Sequence, residues 1–164
     1  MTRRAPIDRV PSPLRRLFGR ALHLYFRMSR GLTLGVRAAV LNEAGEVLLV
    51  RHTYTPGWHL PGGGVEPGET VAAAIGKELR EEANIEIDGP VVLHGLFLSC
   101  ETSQRDHVAV FIVRNFALSA PKQPNLEIAE SGFFALSALP EDTTPGTRRR
   151  LAEITAGSPV DSRW

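Results

Sequence analysis

Three glutamates, Glu78, Glu81 and Glu82, stand at three- and four-residue intervals inside residues 63–85, a stretch whose second half reads as a short helix. That spacing puts them on one helical face. The face is an uncomfortable one. Glu78 and Glu82 are a like-charge pair one turn apart, and all three lie in the C-terminal half of the helix, where the macrodipole disfavours anions. A hard divalent cation removes both conflicts, because Mg²⁺ takes carboxylate oxygens as ligands. The plainer alternative is a solvated acidic face. The preceding residues weigh against it: Trp58-His59-Leu60-Pro61-Gly62-Gly63-Gly64 sets three glycines ahead of the helix. Glycine lets backbone approach a ligand closely, and a helix start offers free N–H groups to anions. Phosphate and metal chemistry both use such a loop.

The helix needs a second face to hold it in place. Ala72, Ile75, Leu79 and Ala83 recur at the same intervals and predict an apolar stripe against a core. Upstream, residues 32–41 and 46–53 are β-type runs joined by Asn42-Glu43-Ala44-Gly45, which predicts a hairpin. Its second strand ends in Arg51 and His52, beside the glycine loop, so Arg51 is placed to meet a phosphate or else is an edge arginine facing solvent. His52 and His59 flank the loop, but no cysteine or HxxxH spacing supports a zinc site, and they read as substrate-facing or exposed. Residues 91–100 and 107–116 predict a second antiparallel pair, the latter buried on both faces through its run 108–113. A short strand at 132–136 and a last helix at 145–155 complete the pattern, with residues 157–164 as a loose tail.

The residues Gly63, Glu69, Glu78, Leu79, Glu81, Glu82 and Ile85 follow the order G-x5-E-x7-R-E-U-x-E-E-x-G-U, with U aliphatic, and this stretch resembles the Nudix box. Two positions depart from it. Lys77 stands for the usual Arg, keeping the charge and losing the bidentate fork. Asn84 stands for the usual Gly, and Asn is the next most tolerant of the left-handed conformation that ends a helix. The resemblance implies an α/β fold, a three-layer α/β/α sandwich with a mixed sheet, to which this chain adds an N-terminal helix. It implies hydrolysis of a phosphoanhydride in a nucleoside diphosphate linked to another group, with Mg²⁺ as cofactor and Mn²⁺ able to substitute. By the same resemblance Glu81, Glu82 and the Gly63 carbonyl are metal ligands, and Glu78 is a ligand or the base that activates water. Lys77 orients the carboxylates and Glu69 braces the loop. Read from the residues themselves, Gly62, Gly63 and Gly64 meet the substrate, with Arg51 either beside them or facing solvent. Glu127 or Glu130, in the segment before the Phe133-Phe134 pair, is a distal ligand or base, or else a solvated loop acid.

At 164 residues and 43% hydrophobic content the chain has the size of one globular domain, taken as residues 31–157 with a tail at 158–164. Its net charge of +1 is unevenly spread. Residues 1–30 hold eight Arg and one Asp (+7), while the other 134 hold 11 basic and 17 acidic residues (−6). Residues 1–11 read as a basic arm, and Ser12-Pro13 as the entry to an amphipathic helix over 14–28, with Arg15, Arg16, Arg20 and Arg27 among apolar and aromatic residues. Three partners suit such a helix: the chain's own domain or a dimer mate, an anionic membrane surface, or nucleic acid. Its aromatic stripe favours packing, and the acidity of the remainder weighs against nucleic acid. Cys100 is the one cysteine, which excludes an internal disulfide and fits a reducing cytoplasm. No signal peptide or bilayer-spanning run is legible. Two other functions share these residues: a catalytically weak nucleotide sensor of the same fold, and a hydrolase of a lipid-linked diphosphate at a membrane surface. No stretch names a base or sugar.

Overall fold

The computed structural model describes residues 13–29, 31–99 and 103–164. The basic arm 1–11, Ser12, Cys100, Glu101 and Thr102 lie outside them. The chain divides into two compact units, Met1–Leu32 and Thr33–Trp164.

The first unit contains α1 (Pro13–Ser29), with proline in its opening turn. Its Leu17, Leu22, Leu24, Tyr25 and Met28 are exposed, and no described α1 side chain belongs to either buried cluster.

The second unit runs β1 (Thr33–Val40), β2 (Glu46–His52), α2 (Val71–Ala83), β3 (Ile85–Ile87), β4 (Val92–Ser99), β5 (Asp106–Val113), β6 (Phe116–Leu118), β7 (Ile128–Ala135) and α3 (Pro145–Ala156), with a single 3₁₀ turn at Leu136–Ala138. Alternation along the strands feeds two cores. From β1, Val36, Ala38 and Val40 join Ala74, Ile75, Leu79 and Ala83 of α2 in one cluster. Ala39 and Leu41 turn to the other, with Leu151 of α3, Trp58 and Phe97. Strands buried on both faces between two helices are the α/β/α sandwich, and the pairing is mixed, β1 parallel to β5 and β4 antiparallel to it.

The hairpin expected from residues 32–53 is not there. The turn itself forms: the Gly45 N–H donates to Asn42 O at 3.0 Å, Gly45 takes φ 76°, and Asn42 Oδ1 accepts from Glu46 N at 2.9 Å. After one bridge, Leu41 to Val47, the strands part. β1 registers with β5, Thr33 opposite Asp106, and β2 registers antiparallel with β7, Glu46 opposite Ala135. Turn chemistry fixes the chain reversal, but strands buried on both faces find their partners inside the sheet. β7 also begins four residues before the expected start, so Glu130 lies within it. Ala72 is exposed, and Ala74 takes the core place expected of it.

The C-terminal tail is docked rather than loose. Leu98 N donates to Ser162 O and Trp164 N to Leu98 O, both at 2.9 Å, so the tail lies along the outer edge of β4. Trp164 packs edge-on against Phe97. Arg150, fully buried, lies over the Phe97 ring at 3.8 Å and donates to Glu153 at 2.7 Å and to Asp161 O at 3.1 Å. Glu153 also accepts from Asp161 N and meets His94 Nε2 at 2.9 Å. Deleting residues 158–164 is expected to lower the melting temperature by roughly 5 °C or more, because it strips Phe97 and Arg150 of cover. A truncated protein that melts with the full chain in calorimetry would refute this.

Candidate active site

α2 is fixed at both ends before any ligand is considered. Thr70 Oγ1 accepts from Ala73 N at 3.1 Å as the N-cap. Asn84 closes the helix in the left-handed region (φ 55°, ψ 34°), the role the sequence assigns it. Leu79 and Ala83 anchor the inner face, which turns Glu78 and Glu82 toward the glycine loop.

Glu82 is only 2% exposed, and its Oε2 accepts from the Gly62 N–H at 2.8 Å. Gly62 sits at φ 142°, and a Cβ there would meet Val36 O at 2.0 Å, so only glycine fits. Gly63 O accepts from Val36 N at 2.8 Å, which ties the loop to β1. A Cβ on Gly63 would strike the Glu78 carboxylate at 2.6 Å. The loop therefore presses against the acidic face of the helix. Gly64 has open space around it.

Burial pushes the Glu82 carboxyl up to about 7, against the Gly62 N–H and the Arg37 charge that favour ionisation, with Glu78 and Glu127 adding repulsion. Glu78 is raised for the same first reason, with Lys77 opposing and Glu81 adding to the shift. Glu81 is exposed at the rim. Lys77 Nζ stands 3.6 Å from both Glu69 and Glu78. Burial pulls the Lys77 pKa down, but the two carboxylates outweigh it and the net shift is upward. Glu69 also accepts from Glu66 N at 3.0 Å, so Lys77 joins the loop to the helix. If this link acts through charge alone, Lys77→Arg keeps the rate and Lys77→Ala loses roughly tenfold, since the cation is replaceable but not dispensable. Equal turnover in all three proteins would show a surface charge and nothing more.

Two further groups complete the site, one of them unmarked in the sequence. Arg37 of β1, which no motif singles out, donates to Leu60 O at 3.2 Å and to Gly62 O, holding the loop from beneath. Burial lowers its pKa, and Glu82, Tyr54 and Glu78 counter that loss. His52 is 7% exposed, so of its two expected placements the solvent-exposed one fails, and its Nε2 lies 3.6 Å from Glu82 Oε1. Burial, with Arg37 and His59 nearby, holds His52 down to about 4, so the imidazole is neutral beside Glu82. The register slips by one residue between Arg51 and His52, and that bulge lies where the chain aims His52 inward.

The two distal acids part company. Asn125 Oδ1 accepts from the N–H groups of Glu127 and Ile128 at 2.9 and 2.6 Å, and Thr53 N donates to Glu127 O, which sets Glu127 opposite α2. Ligand atoms of His52, Glu82 and Glu127 lie within 4.8 Å of one another, the one such cluster found among the described residues. Glu130 instead pairs with Arg51 at 2.8 Å, both half exposed, while Arg51 lies over Trp58. Two clefts open here. One, of about 540 Å³, is lined by Arg51, His52, Tyr54, Gly57 and Asp142 among others. The other, of about 300 Å³, includes Gly35, Arg37, Gly63, Gly64 and Asp106. An oxygen-rich donor set beside a backbone-lined loop and two open clefts suits a hard cation and a polyanion together.

Known proteins resemble this chain in sequence and in fold. The 8-oxo-dGDP phosphatase NUDT18 of Mus musculus is 32% identical over 136 residues, which cover 79% of this chain and 41% of that protein. The chain thus spans less than half the length of that relative. Among solved structures, the MutT NUDIX hydrolase from Burkholderia pseudomallei matches with a TM-score of 0.62 and 28% identity, over 75% of this chain and 98% of that one. The NUDIX hydrolase from Nitrosomonas europaea matches at 0.65 with 20% identity, over 81% and 92%, a likeness of fold. The NUDIX domain profile matches residues 31–154, from just before β1 to the last turns of α3. With so much of the molecule matched, and the fold the same, the chain belongs to the NUDIX domain family.

Proposed function

We propose that this protein is a divalent-cation-dependent pyrophosphohydrolase that cleaves a phosphoanhydride in a nucleoside diphosphate linked to a further group. The observation that carries this reading is Glu82, a buried carboxyl pressed against the Gly62 N–H with Glu78 and Glu127 both repelling its charge. A carboxyl in that position is costly to ionise alone and is suited to a cation. The donor set is all hard oxygen on the helix, which fits Mg²⁺ with Mn²⁺ as substitute. Glu78, Glu81, Glu82 and Glu127 would hold it, with Gly63 O contributing the lone pair that Val36 N leaves open. When bound, such a cation polarises phosphorus, acidifies water and neutralises the leaving phosphate.

This chain's own residues do the rest. Gly62, Gly63 and Gly64 let the substrate's phosphates approach the backbone, and Arg37 and Lys77 supply fixed positive charge beneath and beside them. His52, neutral, and Glu127 cluster with Glu82, and either of them or Glu78 would take a proton from water. Arg51 is available to a phosphate once it leaves Glu130. The single cysteine fits a reducing cytoplasm.

The name of the mouse relative puts oxidised guanine nucleoside diphosphates at the head of a screen. That screen should extend to nucleoside triphosphates, ADP-sugars, dinucleoside polyphosphates, NADH and capped RNA, each with Mg²⁺ and Mn²⁺. Phosphate or nucleoside monophosphate release that stops on chelation supports the proposal. Tight nucleotide binding with no turnover in any arm would replace it with the sensor reading.

A further inference from the structure

α1 carries surface that the catalytic reading leaves unused. Leu17, Ala21, Leu24 and Met28 recur at intervals of four, three and four, which stacks them on one face. The large side chains of that face and its flank, Leu17, Leu24, Tyr25 and Met28, are 57% to 74% exposed. Arg20 borders the stripe and His23 stands across the helix from it, both exposed. Residues 13–30 hold five arginines and no acid, and residues 1–30 carry +7 against −6 in the remainder.

The partner must satisfy both features at once. Nucleic acid would use the arginines and leave the leucines in water. A second copy docked through α1 would bury the leucines and bring two cationic helices together. A bilayer with anionic headgroups takes both, the apolar face among acyl chains and the arginines among phosphates. Among the described residues no helix is long and apolar enough to cross a membrane. The 17 residues of α1 extend only about 26 Å against a hydrocarbon core of about 30 Å.

We propose that α1 is a membrane-surface helix that lies in the interface of an anionic bilayer through its Leu17–Ala21–Leu24–Met28 face. A protein so held presents its hydrolytic unit to substrates at the lipid surface, while the acidic charge of residues 33–164 resists sticking to the same headgroups.

The test is co-sedimentation of the full-length protein with phosphatidylcholine vesicles, with and without one-third phosphatidylserine. The expected result is pelleting with the anionic vesicles only, weakening as salt rises. Leu17→Gln with Leu24→Gln leaves the charge unchanged and should weaken that binding by roughly tenfold or more, because each leucine loses its burial among acyl chains. Melting temperature and turnover of a soluble substrate should stay as in the parent. Absence of pelleting, or equal pelleting with neutral vesicles, would overturn the proposal. So would a double variant that binds as the parent does. A double variant with a lowered melting temperature would assign α1 to its own domain. One that changes a lipid-free dimer to a monomer would assign it to a second copy. Displacement from vesicles by an oligonucleotide that the double variant still binds would assign it to nucleic acid. Each of those three results also overturns the proposal.

Discussion

Glu82→Gln and Glu81→Gln should each lower kcat by a hundredfold or more, on the order of 3 kcal/mol of transition-state stabilisation, while the protein stays folded. In the first variant the amide oxygen of the introduced glutamine can still accept from the Gly62 N–H, so the loop keeps its attachment to the helix. What it loses is the charge that a cation needs. Glu81, exposed at the rim, has no structural bond to lose at all among those described. Steady-state rates with saturating Mg²⁺, beside circular dichroism of each variant, decide the matter. A folded variant with near-parental turnover would remove that carboxylate from the metal site.

The second large effect is on stability, and it runs the other way. Burial lifts the Glu82 pKa from 4.5 to about 7. The unfolded chain releases that proton near 4.5 and the folded chain holds it to about 7, so this group's contribution to stability falls as pH rises across that window. His52 has the opposite sign: its folded pKa is about 4 against 6.5 unfolded, so its contribution rises with pH between those values. The two nearly cancel in the parent protein. Glu82→Gln deletes only the first. Without metal, its stability relative to the parent should therefore grow between pH 4.5 and about pH 8 by about 3 kcal/mol, the free-energy equivalent of the Glu82 shift. Millimolar Mg²⁺ should reverse the advantage at the alkaline end, because ligand binding stabilises only the carboxylate form. A difference in denaturation midpoint that does not move with pH would mean that Glu82 ionises normally in the folded protein.

What the sequence disclosed follows from which constraints are local. The acidic helix, its αL end at Asn84 and the strained Gly62 are written within a few turns of chain, and their chemistry dictates residue type at fixed spacing. The antiparallel pair β4–β5 is likewise local, joined by a short polar connection. The inward aim of His52 and the loop-holding role of Arg37 were not legible, because nothing near them in sequence marks either. Their surroundings come from distant parts of the chain, Glu82 of α2 beside His52 and the glycine loop across Arg37 of β1. The same blindness produced the false hairpin at residues 32–53, where an ordinary turn joins two strands with distant partners. The docked tail escaped notice for another reason. Ser158, Asp161 and Ser162 look like solvent-exposed residues, and Trp164 acquires its place from Phe97, Arg150 and the Leu98 carbonyl, all distant in the chain.

The pairing of β1 with β5 also governs the order in which this molecule can come into being. Thr33 waits 73 residues for Asp106, and β2 waits for β7. Contacts so far apart in the chain close slowly, because the entropy of a long loop is lost before the contact rewards it. During synthesis the whole of α2 is made before either of these partner strands. A nascent chain stalled after β4 would leave β1, β2, β3 and β4 all without partners, the kind of edge that recruits other chains. Glu127, just ahead of β7, joins His52 and Glu82 only when that part of the chain has been made, so the acidic site is completed late.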